Sequence, residues 1–178
     1  MAKPPASLSL VSSVANSLST EEVAKLRIPP HSIEAEQSVL GGLLLDNSAC
    51  DRAADLLNES DFYRHEHQLI YKAVQTLVGN SKPADVITVF DHLEMQGKSA
   101  EIGGLAYLNA LAQSVPSAAN MRRYAEIVRE RAILRKLIAA SDEIATQAFN
   151  PQGRQVAQIL DEAEGKIFKI GEEGARTK

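Results

Sequence analysis

The feature that most limits what this chain can fold into is a long stretch without helix breakers. From Ser117 to Phe149 there is neither proline nor glycine. A helix over that span is roughly 50 Å long at 1.5 Å per residue, more than a compact core needs. Its apolar line runs Ile127, Leu134, Leu137, Ile138, Ile144, Ala145 and Ala148, close to heptad spacing. Asn150-Pro151-Gln152-Gly153 then breaks the helix. A second helix carries Val156, Ile159, Leu160, Ala163, Ile167 and Ile170, at offsets of 0, 3, 4, 7, 11 and 14. Two such stripes joined by a short loop predict an antiparallel hairpin over 117–170. A two-helix hairpin buries only one seam, so its remaining apolar residues call for a partner.

Upstream the pattern is of shorter helices. Ser32 caps one that places Ile33, Val39, Leu40, Leu43 and Leu44 on adjoining faces, with Glu34 and Glu36 in its first turn. Gly41 and Gly42 sit inside it, each costing roughly 1 kcal/mol of propensity relative to alanine, which predicts a closely packed neighbour. Further helices follow Asp46-Asn47-Ser48, Phe62-Tyr63, Asp85 and Gly103-Gly104, with Gly97 at a left-handed C-terminal cap. The composition agrees with an all-α chain: 44% hydrophobic residues, 4% aromatics and no tryptophan leave alanine and the aliphatics to pack it. The expected organisation is a disordered tail over 1–26, including a short helix that Ser19 and Glu22 can cap. A globular helical bundle over 31–116 follows, then the hairpin over 117–170 and the start of a linker over 171–178.

The chemistry is mostly negative. A phosphate loop needs Gly, four residues, then Gly-Lys-Ser/Thr. Gly97-Lys98 and Gly165-Lys166 have His92 and Leu160 where the first glycine belongs. His65 and His67, two apart on a helix, point about 200° from each other and cannot share one ion, so they read as solvated or capping histidines. The lone Cys50 excludes a disulfide framework, fits a cytoplasmic setting and reads as a buried thiol. No apolar run reaches the roughly 18 residues of a membrane helix. Arg122, Arg123, Arg129, Arg131, Arg135 and Lys136, interleaved with Glu126 and Glu130, read as a salt-bridged exposed face in preference to a phosphate-backbone contact. No acid, base or nucleophile set emerges, so the chain is expected to be non-catalytic.

Several runs nonetheless carry a specific resemblance. They are Arg27-Ile28-Pro29-Pro30-His31-Ser32-Ile33-Glu34-Ala35-Glu36-Gln37-Ser38-Val39-Leu40-Gly41, Asp61-Phe62-Tyr63, Ile102-Gly103-Gly104 to Tyr107-Leu108, Pro116-Ser117-Ala118-Ala119-Asn120 and Tyr124-Ala125-Glu126-Ile127-Val128-Arg129-Glu130-Arg131. Together they resemble the N-terminal domain of the bacterial DnaB-type replicative DNA helicases, in order, over residues 27 to about 170. The resemblance implies a helical head with a protruding hairpin. It also implies that hairpins pair, giving a trimer of dimers that forms a collar on a hexameric ring. The ring translocates 5′ to 3′ on single-stranded DNA with ATP and Mg²⁺, held in an ATPase domain that would follow this chain. The collar receives the C-terminal helicase-binding domain of primase. Contacts with primase or a paired hairpin are expected at Tyr107, Ile127, Leu134, Ile138 and Ile144. The competing expectation is a free-standing helical adaptor that modulates such a helicase.

Overall fold

A computed structural model describes Glu22 and residues 28–115 and 117–175; the expected tail over 1–26 lies, but for Glu22, outside the described residues. Among the described residues all regular structure is helical. Helix α1 spans Ile33–Leu45, α2 Ala49–Ala54, α3 His65–Gly79, α4 Val86–Met95 and α5 Gly104–Gln113. Turns of 3-10 helix at Glu59–Asp61 and Ala118–Asn120 precede α3 and α6; α6 spans Met121–Phe149 and α7 Val156–Ala175. None is long and apolar enough to cross a membrane.

Helix α1 is the axis of the head. Ser32 caps it by accepting from the Ala35 N–H at 3.2 Å, and its residues from Val39 to Leu44 are all buried. It can be buried all round because α3, α5 and α6 pack on it from different sides. The paired glycines make that possible: a Cβ on Gly41 would strike the Leu111 carbonyl oxygen, and one on Gly42 the Met121 methyl. Both neighbours approach α1 more closely than any side chain allows.

The other helices start and stop where local chemistry dictates. Asp85 caps α4 by accepting from the Thr88 N–H at 2.9 Å while Thr88 Oγ1 accepts from the Asp85 N–H at 2.8 Å. Gly97 closes it with φ +70°. Asn47 ties the end of α1 to the loop before α4, donating to the Ala84 carbonyl at 2.7 Å and accepting from its N–H at 2.9 Å.

Two boundaries differ from those expected of the sequence. The core does not end at residue 116: Met121, Ala125 and Val128 of α6 are buried in the same cluster as Leu40, Phe62, Ile70 and Leu111. The absence of breakers makes α6 one helix, but its first third belongs to the head. At the other end α7 continues to Ala175, so 171–175 are helical and do not open a linker. Contacts of Glu173, described below, hold those last turns.

Candidate docking surfaces on the hairpin and head

The hairpin is held by few groups. Lys166 meets Glu143 at 2.7 Å, and Lys136 meets Glu173. Both pairs obey one antiparallel register, since seven residues back along α6 corresponds to seven forward along α7. Hydrogen bonding to Lys136 holds the Glu173 carboxyl below the usual carboxylate range. Of the α6 residues that are buried, only Ala140 lies past position 132, and α7 has none. The apolar stripe of α7 is wider than the seam. Ile159, Ala163 and Ile170 are half-buried, whereas Val156, Leu160 and Ile167 remain exposed.

The expected contact residues divide in the same way. On α6, Ile127, Leu134 and Ile138 fall within about 40° of one line, and Ile144 lies about 100° from Ile127. Ile127 packs against the head core. Past the head that line is bare, with Leu134 42% and Ile138 48% exposed and Leu137 beside them at 40%. Ile144 is half-buried. Tyr107 is on the head, half-buried, and the structure does not bring it into one patch with the exposed hairpin residues through any described contact.

The largest departure from expectation concerns buried charge. His67 is neither solvated nor capping: it is fully buried, with Nδ1 2.8 Å from Glu36 Oε1 and Nε2 2.6 Å from the Tyr107 hydroxyl. Glu36, also buried, accepts from the backbone N–H of Tyr63 at 3.0 Å and of Arg64 at 3.4 Å. Gln37 Nε2 donates to the same hydroxyl at 3.3 Å. His65 does face solvent, 3.4 Å from Glu101.

The basic stretch divides too. Arg122 and Arg123 make exposed pairs with Glu126 and Glu130, as the spacing predicts. Arg129 does not. It is buried, and its Nη1 donates to both oxygens of the fully buried Asp61 at 3.0 and 3.1 Å, while Nη2 donates to the Glu173 carbonyl at 3.1 Å. Arg135 donates to the Pro30 and Asp61 carbonyls, both at 2.6 Å, and lies 5.5 Å over the Tyr63 ring. That ring stacks on His31 at 4.3 Å. Burial draws the Arg135 guanidinium below its ordinary range, against the upward pull of Glu36 and Asp61. A cavity of about 300 Å³ at this joint is bounded by Asp55, Asn58, Arg129, Lys136 and Glu173, whose two cations are already paired.

These residues are legible in part. Glu36 shares the face of Leu40 and Leu43 at spacings of four and seven, and Arg129 lies between Ala125 and Ala132 at four and three. A charge on an apolar face signals burial; nothing local signals its partner.

The family model described as the DnaB-like helicase N terminal domain matches residues 28–130 of this chain. The chain belongs to this family. The match ends on α6, one residue after Arg129. The replicative DNA helicase DnaB of Haemophilus influenzae is 45% identical over 154 residues, covering 86% of this chain and 33% of that protein. The DnaB of Mycobacterium leprae is 41% identical over 147 residues, covering 82% and 24%. The chain therefore spans about a third or less of the length of these DnaB relatives. The crystal structure of the N-terminal domain of DnaB helicase from Mycobacterium tuberculosis matches with a TM-score of 0.76 at 40% identity, covering 80% of this chain and 99% of that one. The structure of a DnaB-like replicative helicase and its interactions with primase shares the fold, with a TM-score of 0.65 at 24% identity over 78% of this chain and 31% of that one.

Proposed function

We propose that this chain is the non-catalytic assembly and primase-docking domain of a replicative helicase. The observation that carries the reading is the bare hairpin. No residue of α7 is buried, and Leu134, Leu137, Ile138, Leu160, Ile167 and Phe168 all stay at least 40% exposed. Apolar residues repeated along both helices of a projecting element form a patch that a partner removes from water. Burying such a side chain is worth roughly 1.5–3 kcal/mol, enough to bias an oligomer once several do so together. In this reading the hairpins pair, dimers assemble into a three-fold collar, and the collar offers its surface to the C-terminal domain of primase. The primase half of the reading follows the family and the fold neighbour whose interactions with primase are described.

ATP and Mg²⁺ belong to the helicase motor in this reading, and the residues of this chain do not fit them. Gly97 closes α4, with no further glycine at phosphate-loop spacing, and Gly165 lies inside α7, where its backbone is within the regular helix. Strand translocation and unwinding, with the placement in the cytoplasm, are assigned to the complete helicase.

The test is a calorimetric titration of the chain with the C-terminal domain of primase, with oligomeric mass followed by light scattering. Self-association rising with concentration and a saturable heat are expected. A chain that stays monomeric at high concentration and gives no heat would refute the assignment.

A further inference from the structure

The N-terminal approach to the head is pinned to the hairpin. Arg135 of α6 donates to the Pro30 carbonyl at 2.6 Å, and His31 stacks at 4.3 Å on the Tyr63 ring that Arg135 covers. The chain that precedes Pro30 therefore sets out from beside position 135 of α6. Toward the hairpin tip from there, Ile138, Asp142, Ala145 and Phe149 fall within about 60° of one another, on the side of α6 turned away from α7. All four are exposed, Ile138 at 48% and Phe149 at 90%. The Asp142 carboxylate in their midst enters no ion pair among the described residues. Ile28, just before the prolines, is itself 54% exposed.

The segment upstream matches this strip in length and in chemistry. Ser19 and Glu22 have capping-box spacing, and Val23 and Leu26, three apart, share one helical face. Glu22 is helical and exposed, as the polar flank of that face requires. An extended run from Pro30 to Arg27 covers roughly 10 Å and a helix over 19–26 roughly 12 Å, about 22 Å in all. Along α6, Arg135 to Phe149 is about 21 Å. Laid toward the tip, Ile28 comes opposite Ile138, Lys25 and Arg27 opposite Asp142, and Val23 opposite Ala145. Laid toward the head, the same two cations would meet Arg131, where α6 already serves the core through Ile127 and Val128.

We propose that residues 19–28 cover the outer strip of α6 in cis: Val23, Leu26 and Ile28 lie on Ile138, Ala145 and Phe149, and Lys25 and Arg27 answer Asp142. A tether of a few residues keeps the segment at a high effective concentration, so a small apolar contact suffices to hold it. The contact stands apart from the docking reading above and adds a condition to it. A partner that takes Ile138 must displace the segment first, whereas Leu137, about 160° from Arg135, stays open.

Two measurements on the full chain, at a dilution where its mass is monomeric, test the proposal. The first is disulfide formation in Val23→Cys/Ala145→Cys against Val23→Cys/Glu164→Cys. Glu164 is level with Ala145 in the register of the Lys136–Glu173 and Lys166–Glu143 pairs but sits on the other helix, and the native Cys50 is buried. Bridging requires Cβ atoms within about 4.5 Å, so the Ala145 pair should close at least about tenfold faster, within one chain. Equal rates would mean a segment that wanders, and a product of doubled mass would mean that a second copy supplies it; either overturns the cover in cis. The second is amide hydrogen exchange of residues 23–27, which should run at least about fivefold slower than the same sequence unstructured. Ala145→Asp, a change at an exposed position, should abolish that protection while the amides of α1 and α6 keep theirs. Amides that are unprotected in the unaltered chain, or that stay protected in Ala145→Asp, would also overturn it.

Discussion

Replacing Arg129 by methionine keeps the stem of the side chain and removes the guanidinium. The fully buried Asp61 then loses both 3.0–3.1 Å bonds and keeps, on its carboxylate, the Asn58 N–H at 2.9 Å. A buried charge left without its counter-ion destabilises by about 3–5 kcal/mol. Since Arg129 is 6% exposed and Asp61 not at all, neither solvent nor salt relieves the loss. The Glu173 carbonyl also loses its 3.1 Å donor, so the end of α7 frays. We expect Arg129→Met to cost about 4 kcal/mol, out of the roughly 5–15 typical of a whole domain. For a chain of this size that lowers Tm by about 10 °C. Asp61→Asn alone should cost about 3 kcal/mol, and the double variant Asp61→Asn/Arg129→Met much less than the two losses together, with a coupling of at least about 2 kcal/mol. Lys136→Met is the control. Its partner is the solvent-facing Glu173, and it should cost no more than about 1 kcal/mol. Urea denaturation followed by far-ultraviolet circular dichroism measures all four. Additive losses, or an Arg129→Met cost below about 1 kcal/mol, would falsify the buried-pair account.

Gly41→Ala should destabilise despite the roughly 1 kcal/mol that propensity offers, because the new Cβ meets the immovable Leu111 backbone; Gly42→Ala should be milder, since the flexible Met121 methyl can move aside, and urea midpoints give the order. Ile138→Asp should weaken binding to the primase C-terminal domain about tenfold while leaving Tm nearly unchanged, because the side chain is half exposed, and Arg122→Ala should change neither; calorimetry and thermal melts check both. Burial, with the charges of Asp51 and Asp46, pushes the Cys50 thiol up to about 11, so a thiol reagent at pH 8 should label it only as fast as the protein opens. Because the folded value lies above the unfolded one, this contribution to stability is complete below about pH 9 and is lost as pH rises toward the folded value; a stability that increases over that window would contradict it.

What is legible in the amino-acid sequence is whatever the chain encodes over a few residues. The caps at Ser32 and Asp85, the left-handed Gly97 and the close packing at Gly41-Gly42 follow from residues within one or two turns. The hairpin follows from a missing breaker and a matched stripe. The width of that stripe is legible but its division is not, because offsets along α7 place Leu160 and Ile167 near the seam without telling how much of the face α6 covers. The charged networks are the least legible. Glu36 finds His67 across 31 residues, and Asp61 finds Arg129 across 68. Helical periodicity carries no information over such separations.

The two networks meet at one short segment, and this links the hairpin to the head. Asp61 faces α6, taking Arg129 on its carboxylate and Arg135 on its carbonyl. Two and three residues on, the Tyr63 and Arg64 N–H groups turn to Glu36 on α1. Between them Arg135 lies over the Tyr63 ring, whose other neighbour is His31. Residues 61–64 are thus held by α1 and α6 together just before α3 begins. A rotation of the hairpin about its base must drag on this segment through two arginines, and the segment shares Glu36 with the imidazole that holds Tyr107. Interfaces and packed cores change between discrete arrangements more readily than they deform continuously. Contacts therefore run without a gap from Arg129 and Arg135 on α6, through Asp61 and the segment that follows it, to Glu36, His67 and the tyrosine on the head.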